Sequence, residues 1–497
     1  MYKQRWCRVS ISAAIVSLLF VCAFLLGSRL SMMSDVDIVN LQQVFIRLMD
    51  EAVEPHHNLT QTSFESGTHL TFDYVPGGRF HIYNHSGILT CGDAGELVIL
   101  VIGYWSPDVA RTEYTLYSEV NVAEPDLICL FRYQDGSTAF VSARFEYATQ
   151  DAGIRFLHVP FLLWCPLHNQ SVPTHVAVQS KERHHDVQGS QSRQIIFIPV
   201  VNQHIASTGG CMTMRQAHHG GRIALCLKAI HYYRSARTIT EWMELHRMLG
   251  VHKVILYGYQ NVSEPVHRLF QHYQRQGLLE VQPWKHKWHS GRLKELGSGI
   301  HNNGQELAFN DCLHRHWHEY DYMVFTDIDE VIMPSLSLQR KGVFTFQEML
   351  EYLFVTRLKT VDVQDLCFLK FHWATVCVKN SLAHHNDSDV RLFTQLYTKR
   401  DKRHKCRKVI VRPSEVVRMS VHYAERCRQG HNFTVSDQDA VVQHYRFQPT
   451  PGMGRKCRIP DHSTAKYAPR LRQNVDHVLK KLMTKGTVLS NSPMHNG

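Results

Sequence analysis

From Arg222 onward the chain alternates short apolar runs with amphipathic stretches, and this rhythm restricts its fold more than any other feature. RIALCLKAIHYY (Arg222 to Tyr233) reads as a buried strand. Thr238 or Thr240 stands where it can cap a helix through TEWMELHRMLG, with Ile239, Met243, His246, Met248 and Leu249 on one side and Gly250 as its stop. VHKVILYGY (Val251 to Tyr259) is a second strand, Glu264 to Gln276 a second helix stopped by Gly277, and LLEVQPW a third strand. A further helix, over about Gly304 to His318, leads into DYMVFTDIDE. Strands and helices joined by short connections predict parallel pairing with right-handed crossovers. That is half of an α/β sheet of the nucleotide-binding kind.

The segment Tyr322-Met323-Val324-Phe325-Thr326-Asp327-Ile328-Asp329-Glu330 carries the chemistry. An apolar strand runs straight into two acids spaced i and i+2. At the carboxyl end of a strand in an open α/β sheet, such a pair faces the crevice where ligands bind. Two carboxylates suit a hard cation such as Mn2+ or Mg2+ that keeps positions open for phosphate oxygens.

The N-terminus sets the expected topology. Val9 to Gly27 (VSISAAIVSLLFVCAFLLG) carries no charge, Lys3, Arg5 and Arg8 precede it, and no acid occurs before Asp35. Its length is near the roughly 20 residues that a spanning helix needs. The basic flank predicts a cytoplasmic tail with everything after Arg29 on the far side. Sequons at Asn58, Asn84, Asn169, Asn261, Asn386 and Asn432 suit that lumenal placement. Beyond the span 11 of the 13 cysteines remain, none in a CxxC pair, so disulfides are expected rather than zinc. The odd count leaves one thiol free or paired between chains, as in a disulfide-linked homodimer. The net charge of +11 suits nucleic acid, membrane surfaces or phosphorylated small molecules. Behind a membrane anchor nucleic acid drops out. The run KRDKRHKCRK (Lys399 to Lys408) is then a solvated loop or a rim that attracts anions.

These signals divide the chain into a tail (1–8), a span (9–27), a polar stem (28–65) and a β-rich domain (66–168). A linker (169–193), the α/β domain (194–485) and a C-terminal tail (486–497) follow. The β-rich part shows short alternating runs such as LVILVIGYW and TAFVSARFEY between glycine turns, the pattern of a small antiparallel sandwich.

TITEWMELHRMLGV, AFNDCLHRH, FTDIDEVIMP, KVIVRP and QHYR occur in the order found in glycosyltransferase family 92, which this chain resembles over about residues 222–450. The resemblance implies a GT-A fold: a Rossmann-like α/β catalytic domain, here preceded by a small β-rich domain and an N-terminal transmembrane helix. It implies an inverting, metal-dependent galactosyltransferase in the Golgi membrane, single-pass type II, with its catalytic domain lumenal. UDP-galactose would be the donor, a glycoprotein glycan the acceptor and Mn2+ or another divalent cation the cofactor. The linkage implied is β1,4 to galactose or fucose of N-glycans. Asp327 and Asp329 would hold the metal and diphosphate, with His444 or His422 as a further metal ligand. Lys408 and Arg446 would meet phosphate or hold the loop around it. Where relatives carry acids or amides after the first strand, this chain has Tyr232, Tyr233 and Arg234, which would contact the nucleotide instead. Inversion also needs a base on the acceptor hydroxyl. Glu330, Asp437 and Asp439 are its candidates, none singled out by the sequence. A different UDP-sugar donor and a membrane-tethered carbohydrate-binding pseudoenzyme are the alternatives.

Overall fold

The computed structural model describes residues 71–73, 78–82, 86–90, 96–105, 127–148, 158–167, 171–181, 195–203, 221–283, 304–359, 363–378, 392–401, 404–445 and 457–488. All belong to one compact unit, His69–Gly497. The expected span at 9–27 and stem at 28–65 lie outside the described residues. Among the described residues no helix is long and apolar enough to cross a membrane.

Ten strands form the first sheet: β1 (Thr71–Asp73), β2 (Gly78–Ile82), β3 (Gly87–Thr90), β4 (Glu96–Trp105), β5 (Leu127–Arg132), β6 (Thr138–Ser142), β7 (Arg144–Tyr147), β8 (His158–Pro166), β9 (His175–Ser180) and β10 (Ile198–Val201). They run β1-β2-β4-β3-β10-β9-β5-β6, with β8 also on β4 and β7 on β8. Among the described residues of this sheet only β3 and β10 pair in parallel. Leu97 and Ile99 of β4 and Phe161 of β8 share a core with Leu127 and Phe131 of β5 and Val176 of β9. The Cys129–Cys165 disulfide joins β5 to β8 across that core. In place of the expected antiparallel sandwich, two antiparallel sets of strands are joined into one sheet by the parallel β3–β10 pair. It reaches past its expected end, since β9 lies in the stretch read as linker (169–193) and β10 beyond it. Polar His175 and Gln179 interrupt the apolar pattern of β9 enough to hide it.

The second part contains β11 (Ile223–Leu227), β12 (Ile230–His231), α1 (Ala236–Met248), β13 (Lys253–Leu256), β14 (Tyr259–Gln260), α2 (Glu264–Arg275), β15 (Leu279–Val281), α3 (Gln305–His316) and β16 (Tyr322–Phe325). After these come β17 (Glu330–Pro334), α4 (Phe346–Tyr352), β18 (Leu366–Val378), β19 (Tyr397–Arg400), β20 (His404–Val411), β21 (Val416–Met419), β22 (Ala424–Cys427), β23 (His431–Val435), β24 (Ala440–Tyr445), β25 (Ile459–Pro460) and α5 (Ala468–Val488). The main sheet is ordered β15-β13-β11-β16-β20-β18-β19-β25. β15, β13, β11 and β16 are parallel, as the alternation predicts. β20 joins β16 antiparallel.

Alternate residues of β11 enter two different cores. Ile223, Leu225 and Leu227 pack with Trp242 and Leu245 of α1 and Leu269 of α2. Ala224 and Cys226 pack with Leu307, Phe309 and Leu313 of α3, and with Ile88, Val98, Leu100 and Trp164 of the first sheet. One continuous core therefore joins the β-rich layer to the α/β sheet, with α3 between them. This explains why α3 is buried on nearly every side. Its polar side chains are paired. Asn310 donates to the Met419 carbonyl at 2.8 Å and accepts from the Met419 N–H at 2.9 Å. Asp311 accepts from the Tyr257 hydroxyl and from Arg315.

α1 starts one turn earlier than expected. Ser235, not Thr238 or Thr240, is its N-cap, accepting from the Thr238 N–H at 3.2 Å. Such a cap is worth about 1 kcal/mol. Gly250 does stop the helix. Its φ of +91° is left-handed, and a Cβ there would meet Gln347 Oε1 of α4 at 2.0 Å.

Two buried histidines make the fold acid-sensitive. Burial pushes His246 down to about 4. Burial and the Arg428 charge push His314 down to about 3. Both are neutral when folded and free to protonate below pH 6.5 when unfolded, so their contribution is complete above pH 6.5 and is lost as pH falls toward 4. At pH 5 each accounts for up to about 2 kcal/mol. Glu241, raised to about 7 by burial, has the opposite slope between 4.5 and 7. The comparison with His314→Gln isolates one histidine. Urea unfolding at pH 7.5 and pH 5 is expected to show a smaller loss on acidification in that variant than in the parent. Equal losses would refute the assignment.

Candidate active site

The strands of the parallel half follow the spatial order third, second, first, fourth, so the winding reverses between β11 and β16. Ligands of open α/β sheets bind beyond the carboxyl ends of the strands at such a reversal. Lys228 leaves the end of β11 and Asp327 the end of β16, and their charged atoms lie 3.5 Å apart.

All four residues of β16 are buried. The turn that follows is closed by the Glu330 N–H donating to the Asp327 carbonyl at 3.0 Å. Glu330 reaches back, its carboxylate accepting from the Asp327 N–H at 3.1 Å and the Thr326 hydroxyl at 3.3 Å. Trp242 of α1 donates to the Glu330 carbonyl at 3.2 Å. On the far side, the Tyr445 N–H of β24 donates to the Asp329 carbonyl at 2.7 Å. The turn is pinned at both shoulders.

The two acids meet different partners. Asp327 Oδ2 accepts from Lys408 Nζ at 2.8 Å, and its Oδ1 accepts from Gln305 Nε2 at 3.0 Å beside Lys228. Lys408 also lies 3.1 Å from Glu330 and is 1 % exposed. Burial works against the charge of Asp327, but Lys408 and Lys228 hold its carboxyl well below the usual carboxylate range. Burial likewise opposes the charge on Lys408, which Asp327 and Glu330 hold above the usual lysine range. Asp329, 28 % exposed, faces His444, with Oδ2 3.0 Å from Nε2. The β17–β24 register sets this pair by placing His444 opposite Glu330. Trp373 of β18 lies against His444, ring centroids 4.9 Å apart. Tyr233 borders both acids. Burial first, then the charges of Asp329 and Asp327, raise its hydroxyl above the usual phenol range.

Of the residues expected here, Asp327, Asp329, Glu330, Lys408 and His444 come together. His422 sits on the turn between β21 and β22, and His444 is the histidine that meets Asp329. Tyr232 is exposed at a left-handed φ of +63°, and Arg234 is exposed as well. Tyr233 is the member of that trio turned to the acids. Arg446 lies outside the described residues. The base candidates are not offered to a ligand. Glu330 is buried and spent on the turn. Asp437 and Asp439 precede β24, at the opposite end from His444, about 16 Å away at about 3.3 Å per strand residue. Asp439 is also held by two bonds from Arg357, each 2.9 Å. Lys228 and Gln305 join the site without a sequence signal: neither stands in an acidic or basic pattern, and only the strand order and the start of α3 bring them to Asp327.

The sequence matches the family model described as Glycosyltransferase family 92 over residues 221–485, more than half of the chain. The chain belongs to glycosyltransferase family 92. Membership of this family supports a glycosyltransferase activity. No curated protein matches the sequence. Among solved structures, the apo structure of the WbbM bifunctional glycosyltransferase is similar at 11% identity and a TM-score of 0.16. That likeness covers 38% of this chain and 29% of the other.

The motifs of this family-92 chain have structural work beyond the acids. Glu241 of α1 accepts from the Phe393 and Thr394 N–H groups at 2.7 and 2.9 Å. Arg412, fully buried after β20, donates to the Val363 carbonyl at 2.7 Å. A divalent cation has two donors to meet in the Asp329–His444 pair, a carboxylate and an imidazole suited to Mn2+. Among the described residues no group of three or more His, Cys, Asp or Glu side chains is gathered for a metal. The donor set fits a cation that takes its remaining ligands from diphosphate and water. Asp327, already neutralised by lysine, has less need of one.

Proposed function

We propose that this family-92 chain transfers galactose from UDP-galactose to a glycan of a glycoprotein, with inversion, in the Golgi lumen behind an N-terminal type II anchor. The reading is supported chiefly by Asp329 and His444 meeting at the reversal of the sheet, beside an Asp327 held by lysines. Asp329 and His444 would hold Mn2+ or another divalent cation, which would offset charge on the departing diphosphate. Asp327 keeps its orientation through Lys408 and Gln305. In the displacement the acceptor oxygen forms a bond to the anomeric carbon as the bond to the diphosphate oxygen breaks. The acceptor proton passes to a general base as that bond forms. Trp373 beside His444 offers an aromatic face for a sugar ring.

The test is a donor screen with purified ectodomain. UDP-galactose, UDP-N-acetylhexosamines and UDP-glucose are offered with a desialylated glycoprotein and Mn2+. Galactose transfer that EDTA abolishes and Mn2+ restores is the expected result. Preference for another UDP-sugar would reassign the donor. Nucleotide-sugar binding without any transfer would favour a carbohydrate-binding pseudoenzyme.

A further inference from the structure

Resting on the nucleotide-sugar reading, we infer that Lys228 is a diphosphate-binding residue of this site, acting separately from the cation. Lys228 is the first residue after β11, on the floor of the crevice where the winding of the sheet reverses. Its ammonium donates to Gln305 Oε1 at 3.1 Å and lies 3.5 Å from Asp327 Oδ1. An ammonium has three donors, and this side chain remains 34 % exposed. Lys408 differs in being 1 % exposed and enclosed with Asp327 and Glu330 as its partners.

The charges explain why a lysine belongs here. Asp327, Asp329 and Glu330 bring three negative charges to one turn, against two from Lys228 and Lys408. A diphosphate adds further negative charge. A cation on Asp329 and His444 offsets it on one side only. On the other side Lys408 alone offsets Asp327 and is enclosed, so Lys228 adds a second positive charge beside that carboxylate and a charged donor open to a ligand.

The position is also rigid. The Cys226–Cys312 disulfide joins β11, two residues before Lys228, to α3, which begins at Gln305. Gln305 is 2 % exposed and bonds to Lys228 and Asp327 together. The ammonium is therefore held in place before a ligand arrives, which is what a phosphate contact of fixed geometry requires.

Titration calorimetry with UDP and with uridine, each with and without Mn2+, separates the phosphate contact from the base and ribose. The parent is expected to favour UDP. Lys228→Gln is expected to weaken UDP binding roughly tenfold to a hundredfold, the range of a hydrogen bond to a charged group, and to leave uridine unchanged. Part of that loss persists without Mn2+, because Lys228 does not act through the cation. Equal UDP affinity in parent and folded Lys228→Gln would overturn the role of Lys228 while leaving the nucleotide-sugar reading intact. A parent that binds neither UDP nor uridine would defeat both. If Lys228→Gln does not fold, Lys228→Arg serves: the preference for UDP must survive where the charge is kept, and its collapse in a folded protein refutes the inference.

Discussion

Asp329→Asn and His444→Ala are each expected to lower the rate of sugar transfer by roughly a thousandfold, about 4 kcal/mol of transition-state stabilisation. Each removes one of the two donors that face one another at 3.0 Å. The same variants are expected to need more Mn2+ for half-maximal activity. Asp327→Asn behaves differently because its carboxylate answers to Lys408, Lys228 and Gln305. Its loss loosens the turn and is expected to cost roughly tenfold to a hundredfold in rate, with little change in the Mn2+ requirement. Mn2+ titrations of activity, with circular dichroism to confirm folding, distinguish the two behaviours. Identical Mn2+ requirements in Asp327→Asn and Asp329→Asn would show that both acids share one cation, as their i, i+2 spacing alone suggests. Folded Asp329→Asn at the parental rate would remove the pair from catalysis.

That contrast shows where the sequence stops being informative. The strand ending in DID is legible because four apolar residues precede two acids, a pattern local in the chain. The parallel pairing of β11, β13 and β15 is legible too, because short connections through helices leave few other topologies. The partners of the acids are not legible. Lys408 closes a basic run that reads as a solvated loop, yet the run spans β19 and β20, and Lys408 lies under the turn. A buried lysine resembles an exposed one in sequence. What distinguishes it is the presence of Asp327 and Glu330, about 80 residues earlier, on the neighbouring strand. Resemblance leaves His444 and His422 as alternatives, whereas the β17–β24 register gives the physical reason that His444 meets Asp329. The buried polar residues of α1 and α3 are hidden in the same way. Glu241, Glu244 and Asn310 look like solvent-facing positions until the layers on both sides of each helix are known.

Lys408→Met is expected to destabilise the folded chain by about 3 kcal/mol, the cost of leaving the buried Glu330 and the partly buried Asp327 without their shared cation. The lysine is 1 % exposed, and it lies 2.8 Å from Asp327 and 3.1 Å from Glu330. Methionine fills much the same space, so lost packing contributes little and the effect is electrostatic. In the variant Lys228 still offsets part of the charge on Asp327, but Glu330 keeps only its bonds to Thr326 and the Asp327 N–H. Adding Glu330→Gln to Lys408→Met removes one of the stranded charges while keeping a side-chain oxygen for those bonds. The double variant is therefore expected to be more stable than Lys408→Met alone by about 1–3 kcal/mol, a coupling of the size found between directly contacting groups. Urea unfolding of parent, both single variants and the double variant, with disulfides intact, measures it. A Lys408→Met protein within about 1 kcal/mol of the parent would mean that water or a side-chain shift relieves the acids. A double variant less stable than either single one would mean that Lys408 acts through its packing, and the charge balance drawn around Asp327 would have to be abandoned.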